Sequence, residues 1–102
     1  MAVNRIVPLF IGESEYINFV FTRRLQSGQT VVSAVYTPES PVTEDANTAA
    51  VNAEGTIAQA RFTLPPTAVN GQQYTVKCVA SCINPIESKI EYAIIRAELV
   101  TE

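Results

Sequence analysis

Cys78 and Cys82 are the residues of this chain whose type and spacing come closest to site chemistry. They stand four positions apart in QQYTVKCVASC, where such a pair could be a redox couple, half of a metal site or one face of a strand. Tyr74, Val76 and Ala80 share their alternate positions, which is the period of a half-buried strand. On a strand the two Cα atoms would lie about 13 Å apart, whereas a disulfide needs them within about 7 Å. We therefore predict that both cysteines pack in the core.

The remaining candidate site residues are two pairs of carboxylates. The sequence has no histidine, so the Ser-His and Cys-His arrangements are excluded and zinc would lack its commonest nitrogen ligand. Glu13 and Glu15 share one face of a strand and could bind calcium or act as an acid/base pair, but a polar strand entry is the favoured interpretation. Glu44 and Asp45 lack the spacing of a calcium loop and are interpreted as solvated loop charge. The sequence predicts no catalytic residue, no cofactor and no metal site.

The composition indicates a single domain over residues 1–102, made in the cytoplasm. Ten acidic residues against seven basic ones give a net charge of −3, and Arg23-Arg24 is the one basic pair, so a nucleic-acid surface is not expected. Unpaired cysteines favour a reducing compartment. The N-terminal MAVNRIVPLF is broken by Pro8 and does not match a signal peptide, and no apolar run is long enough to span a membrane.

Short alternating segments separated by turn residues predict an all-β sandwich of about seven antiparallel strands. Pro8 suits an edge strand. The middle segment is read as a loop with a short strand near residues 48–52, although a helix over TEDANTAAVNAE, capped by Thr43, is an alternative. NPIES reads as a hairpin turn before a long last strand, KIEYAIIRAELV. The predicted strands lie in VNRIVPLFIG, ESEYINFVFT, TVVSAVYT, residues 48–52, TIAQARFTL, QQYTVKCVASC and KIEYAIIRAELV. Alternation predicts one inward row in ESEYINFVFT (Ile17, Phe19 and Phe21) and one in TIAQARFTL (Ala58, Ala60, Phe62 and Leu64).

Three segments in this order carry a resemblance: GESEYINFVF (12–21), VVSAVY (31–36) and NGQQYTVKCVAS (70–81). The chain resembles, over nearly its whole length, small Ig-like virion proteins of tailed bacteriophages, of the fiber–head adaptor or neck type. It departs from their pattern at Tyr36, where such domains often carry Trp, and at NPIES, in place of a Gly-Arg hairpin. The resemblance implies an Ig-like sandwich in a virus particle. In such domains a tyrosine at the position of Tyr74 returns its hydroxyl to the loop backbone.

Two predicted strands are apolar on both faces, which is unusual for a free-standing sandwich. One face of TVVSAVYT holds Val32, Ala34 and Tyr36, and the other holds Val31 and Val35. In the last strand, Ile90, Tyr92 and Ile94 lie on one face, and a second apolar row, Ala93, Ile95, Ala97 and Leu99, lies on the other. The second row is predicted to be buried against a neighbouring copy or partner, unless the terminal extension folds over it. The predicted interface residues are Val31, Val35, Ala93, Ile95, Ala97 and Leu99, together with Arg23 and Arg24 at a turn tip. The loop 39–45 is a further tip available to unlike partners.

We therefore expect a non-enzymatic virion component that acts by binding other virion proteins: portal or adaptor, neck, fiber or capsid subunits. Several copies in a symmetric assembly at the neck or head–tail junction, as a collar or a fiber–head attachment, form the leading interpretation. Capsid decoration and a tail or baseplate module remain open. A carbohydrate-binding domain is less favoured, because the sequence has no Trp and few aromatic residues in its loops.

Overall fold

The computed structural model describes residues 5–99, and these residues form eight strands in two packed sheets, with no helix. The first four residues of MAVNRIVPLF and the end of the predicted last strand, at Val100, lie outside the described part. The strands are β1 (Arg5–Phe10), β2 (Ser14–Val20), β3 (Thr30–Pro38), β4 (Thr43–Glu44), β5 (Ala50–Val51), β6 (Ile57–Thr63), β7 (Gln73–Ile83) and β8 (Glu87–Glu98). The prediction of an all-β sandwich is confirmed.

One sheet has four strands in the order β1-β8-β7-β3, and the other has the order β2-β6-β4, with β5 also paired to β6. Pro8 lies in β1 at the edge of the four-stranded sheet, as its missing N–H group requires. The prediction of a wholly antiparallel sandwich is wrong at this edge, because β1 runs parallel to β8. A parallel neighbour is possible here because the chain crosses to the other sheet after β1 instead of turning back on itself.

The core is filled by the alternate residues of the facing sheets. Phe19 of β2, Tyr36 of β3 and Phe62 of β6 form an aromatic cluster with ring centroids 5.5 to 6.4 Å apart. Predicted inward rows of β2, β6 and β7 are all buried, which confirms their periodicity. These rows are Ile17, Phe19 and Phe21; Ala58, Ala60, Phe62 and Leu64; and Tyr74, Val76, Cys78, Ala80 and Cys82.

The middle of the chain forms two very short strands, and the helical alternative over TEDANTAAVNAE is wrong. Instead, β4 begins at Thr43, the residue considered as a helix cap, and β5 falls inside the predicted short strand at 48–52. Both pair with β6. β4 lies in a segment that was predicted to be a loop. A strand of two residues is too short to show a periodic pattern in the sequence.

The loop before β7 is held by Tyr74, as the resemblance implies. The backbone N–H of Val69 donates a hydrogen bond of 3.1 Å to the Tyr74 hydroxyl, while the Tyr74 ring is buried. The NPIES segment makes the predicted hairpin turn between β7 and β8. The described residues contain no helix long and apolar enough to cross a membrane.

Candidate interaction surface

The row of β8 that points into the core is the one that was predicted to form the interface. Ala93, Ile95 and Ala97 are buried, so their assignment as interface residues is wrong. Register explains the direction: Tyr74 lies opposite Ile95, and Val76 opposite Ala93. Residues directly opposite each other in a sheet point to the same face, so the inward row of β7 turns these residues inward too.

Val31 is also wrong as an interface residue, because its side chain is buried in the core. The pairing of β3 with β7 is regular from Ser33 to Pro38 but shifts between Val31 and Ser33. This bulge inserts Val32 as an extra residue, so the inward and outward positions exchange there. Val31 then points inward and Val32 outward, although strict alternation predicts the reverse.

The outward side of the β1-β8-β7-β3 sheet carries a continuous apolar surface, which we call the outer patch. Val35, Val79 and Ile90 lie opposite one another across three strands, and Ile94 lies opposite Ile6. Val35 is 67% exposed and Ile90 is 38% exposed. The outer patch consists of Val35, Val79, Ile90, Tyr92, Ile94 and Ile6.

Full burial of a large aliphatic side chain contributes roughly 1.5–3 kcal/mol, so a partner that covered the outer patch would gain several such contributions. Contiguous apolar surface of this kind marks an interaction site more often than isolated apolar residues do. Lys77 lies opposite Tyr92 and adds a positive charge beside the apolar row. The geometry can therefore bind an apolar protein surface.

The other predicted interface residues are not members of the outer patch. The Arg24 guanidinium donates one hydrogen bond to the Ile90 carbonyl and a second, of 3.0 Å, to a Glu91 carboxylate oxygen. These two contacts hold the loop after β2 against β8. Arg23 is exposed. Leu99 is exposed as predicted, and its backbone N–H donates to Asn70 Oδ1 at 3.1 Å.

Both cysteines are buried free thiols, which confirms their prediction as core residues. Burial raises the pKa of the Cys78 thiol to about 12, and burial also raises the pKa of Cys82. Since the thiolate is the reactive form, neither sulfur is prepared for nucleophilic or redox chemistry at neutral pH.

The acidic pairs lie at two different places. Glu13 and Glu15 are exposed at the start of β2. Asp45 accepts a hydrogen bond from Thr63 (2.6 Å) and pairs with Arg61 (2.5 Å), and these contacts hold the pKa of its carboxyl below the usual range. It therefore anchors the loop after β4 on β6. Within residues 5–99, no three His, Cys, Asp or Glu side chains cluster in a way that could hold a metal ion.

An open depression beside β5 and β6 is lined by Ala50, Val51, Asn52, Ile57 and Gln59, none of which carries a titratable group. The Asn52 side chain is already used there, since its Oδ1 accepts the backbone N–H groups of Thr56 and Ile57. This depression offers neither a nucleophile nor a charged ligand group.

Five residues of the outer patch were not predicted as interface residues from the sequence: Val79, Ile90, Tyr92, Ile94 and Ile6. For the three on β8, Ile90, Tyr92 and Ile94, the signal is the length of the β7–β8 turn, because one residue more or less would exchange the faces of β8. Neither the family models nor the curated protein sequences with which the chain was compared include a match.

Proposed function

We propose that the protein is a non-enzymatic structural component of a tailed-phage virion, with an Ig-like sandwich that acts by protein–protein contact. The favoured place is the neck or head–tail junction, as a collar or a fiber–head attachment. The resemblance over 12–21, 31–36 and 70–81 supports this origin. The two-sheet strand order and the hydrogen bond from Val69 to the Tyr74 hydroxyl support an Ig-like topology.

The exposed apolar outer patch is the observation that carries the binding role. Its longest row, Val35, Val79 and Ile90, crosses three strands on the side of the sheet that faces away from the core. Such a surface is costly to leave in water and becomes favourable when a neighbouring subunit covers it. In a ring of identical subunits the outer patch would contact a different surface of the next subunit, since ring contacts are heterologous.

Virion composition tests the location. We would measure the copy number of this protein in purified virions by quantitative mass spectrometry, against the portal and major capsid proteins. A ratio close to that of the portal is the expected result. A ratio close to the major capsid protein would instead make it a shell decoration, and absence from the particle would overturn the virion assignment.

A matched pair of substitutions tests the binding surface separately. Val35→Asp places a charge at the most exposed residue of the outer patch, while Val69→Asp changes a similarly exposed valine in a loop outside it. Both variants should fold, because neither side chain contributes to the core. We expect Val35→Asp to be lost from virions at least tenfold relative to Val69→Asp. Equal incorporation of both variants would show that the outer patch does not carry the contact.

A further inference from the structure

Among residues 5–99, β2 is an edge strand of its sheet without a protecting feature. It pairs with β6 over all seven residues without a register shift, contains no proline, and has no second strand partner within residues 5–99. The remaining edges carry features that prevent strand addition: Pro8 interrupts β1, a bulge at Val32 interrupts β3, and β4 and β5 have two residues each.

The free backbone groups of β2 can be identified from its pairing with β6. The backbone N–H of Phe21 donates to the Thr56 carbonyl at 2.8 Å, so Phe21 and every second residue before it form the hydrogen-bonded pairs with β6. The intervening residues Tyr16, Asn18 and Val20 therefore direct their N–H and C=O groups to the free edge. An extended strand is the partner that such a row of alternating donors and acceptors fits.

We propose that this partner is the β2 strand of a second copy, paired antiparallel about a two-fold axis at Asn18. Tyr16 and Val20 are each 49% exposed, and this register places Tyr16 of each copy opposite Val20 of the other. A pairing centred on Ile17 would instead place Val20 opposite Ser14. The register at Asn18 is thus the one that pairs the exposed apolar residues with each other while the free backbone groups meet.

The charges at the two ends of β2 are complementary in the same arrangement. Glu13 directly precedes the strand, Glu15 is its second residue, and Arg23 follows its end. Antiparallel pairing about Asn18 brings Glu13 of one copy to the end where Arg23 of the other copy lies, at both ends of the seam. Arg24 is not required for this contact, because it is already paired with Glu91. Opposite charges on paired strands stabilise the pairing modestly and disfavour other registers.

The resulting dimer joins the β2-containing sheets of the two copies into one continuous sheet through their β2 strands, and each sandwich keeps its own core. Its interface is isologous, since the same strand contributes from both copies. The outer patch lies on the other sheet and stays exposed in the dimer. The inference therefore does not depend on the virion assignment or on the binding role of the outer patch.

Disulfide trapping tests the register. In Asn18→Cys the two introduced cysteines face each other on the axis, with Cα atoms about 5.5 Å apart, within disulfide range. In Tyr16→Cys, the control, they are separated by four residues along the seam, roughly 13 Å. The native thiols are buried and do not interfere. We expect rapid oxidation of Asn18→Cys to a covalent dimer and none of Tyr16→Cys; trapping of Tyr16→Cys alone would overturn the proposed register.

Sedimentation of the full chain over a concentration series tests the dimer without cross-linking. Asn18→Lys places two positive charges against each other at the axis, and we expect it to weaken dimerisation at least tenfold. Thr37→Lys adds the same charge at an exposed position on the other sheet and should leave dimerisation unchanged. A wild-type chain that stays monomeric up to millimolar concentration would overturn the proposal. A dimer disrupted by Val35→Asp but not by Asn18→Lys would also overturn it, and would assign dimerisation to the outer patch.

Discussion

Val31 and Tyr36 both place their side chains in the core, although they are five residues apart on the same strand. A regular strand puts residues of opposite parity on opposite faces. The extra residue at Val32 resolves the conflict, because the pairing with β7 shifts between Val31 and Ser33. The bulge thereby converts one of two adjacent valines into a core residue and leaves the other on the surface.

Isosteric substitutions of these two valines should separate their roles. Val31 is 3% exposed and Val32 is 52% exposed. Val31→Thr buries a hydroxyl group and should lower the free energy of unfolding by about 1–3 kcal/mol. Val32→Thr should change it by less than about 0.5 kcal/mol. Urea denaturation measures both values, and a larger loss for Val32→Thr would contradict the position of the bulge.

Removal of a single hydroxyl should have opposite effects at two buried tyrosines. Tyr74→Phe deletes the acceptor for the Val69 N–H group and should cost about 1 kcal/mol. The buried Tyr36 hydroxyl makes no hydrogen bond of good geometry in the described structure, and its neighbour, the Cys78 thiol, is only a weak partner, so Tyr36→Phe should be neutral or slightly stabilising. Thermal and urea unfolding of the two variants provide the comparison. A clear loss of stability in Tyr36→Phe would reveal a partner for its hydroxyl.

Gly55 marks a close approach between the β5–β6 turn and β3. Its φ of +70° is unfavourable for other residues, and a Cβ atom there would lie 2.7 Å from the Thr30 Cβ. Gly71 has a similar φ of +84° but open space around it. Gly71→Ala should cost about 1–2 kcal/mol through its backbone conformation alone, and Gly55→Ala should cost more because of the contact. Equal losses in denaturant titrations would show that Thr30 moves aside freely.

The buried thiol predicts a loss of stability at alkaline pH. An unfolded cysteine titrates near about 8.5, whereas the pKa of Cys78 in the folded protein is about 12. Between these values the unfolded chain has lost a proton that the folded chain keeps, so the free energy of unfolding falls as pH rises, by at most about 1.4 kcal/mol per pH unit for this group. The raised pKa of the buried Tyr36 phenol adds to the loss at the upper end.

Urea denaturation at pH values from about 8 to about 11 measures this slope, and Cys78→Ala is the matched variant. The variant should be less stable at neutral pH because it leaves a small cavity, yet its stability should fall less steeply with pH. A wild-type stability that stays constant or rises over this range would contradict the assignment of a protonated, buried Cys78.

Much of the fold follows from local alternation in the sequence. The rows that contain Phe19, Phe62 and Cys78 were predicted as inward and are buried, since each row is wholly apolar while the opposite face of its strand includes polar residues. β4 was not predicted, because Thr43 and Glu44 are too few to show a period. The interface residues on β8 were wrong, since both of its faces are apolar and alternation alone does not choose between them.

The sequence by itself determined the all-β class, the inward rows of β2, β6 and β7 and the burial of both cysteines, because only one face of each of these strands is free of polar residues. The tertiary structure alone decided which face of β8 is buried, the inward turn of Val31 and the open edge of β2. These features depend on register across the sheet, on a bulge and on strand order, all of which arise from pairing between segments distant in the chain.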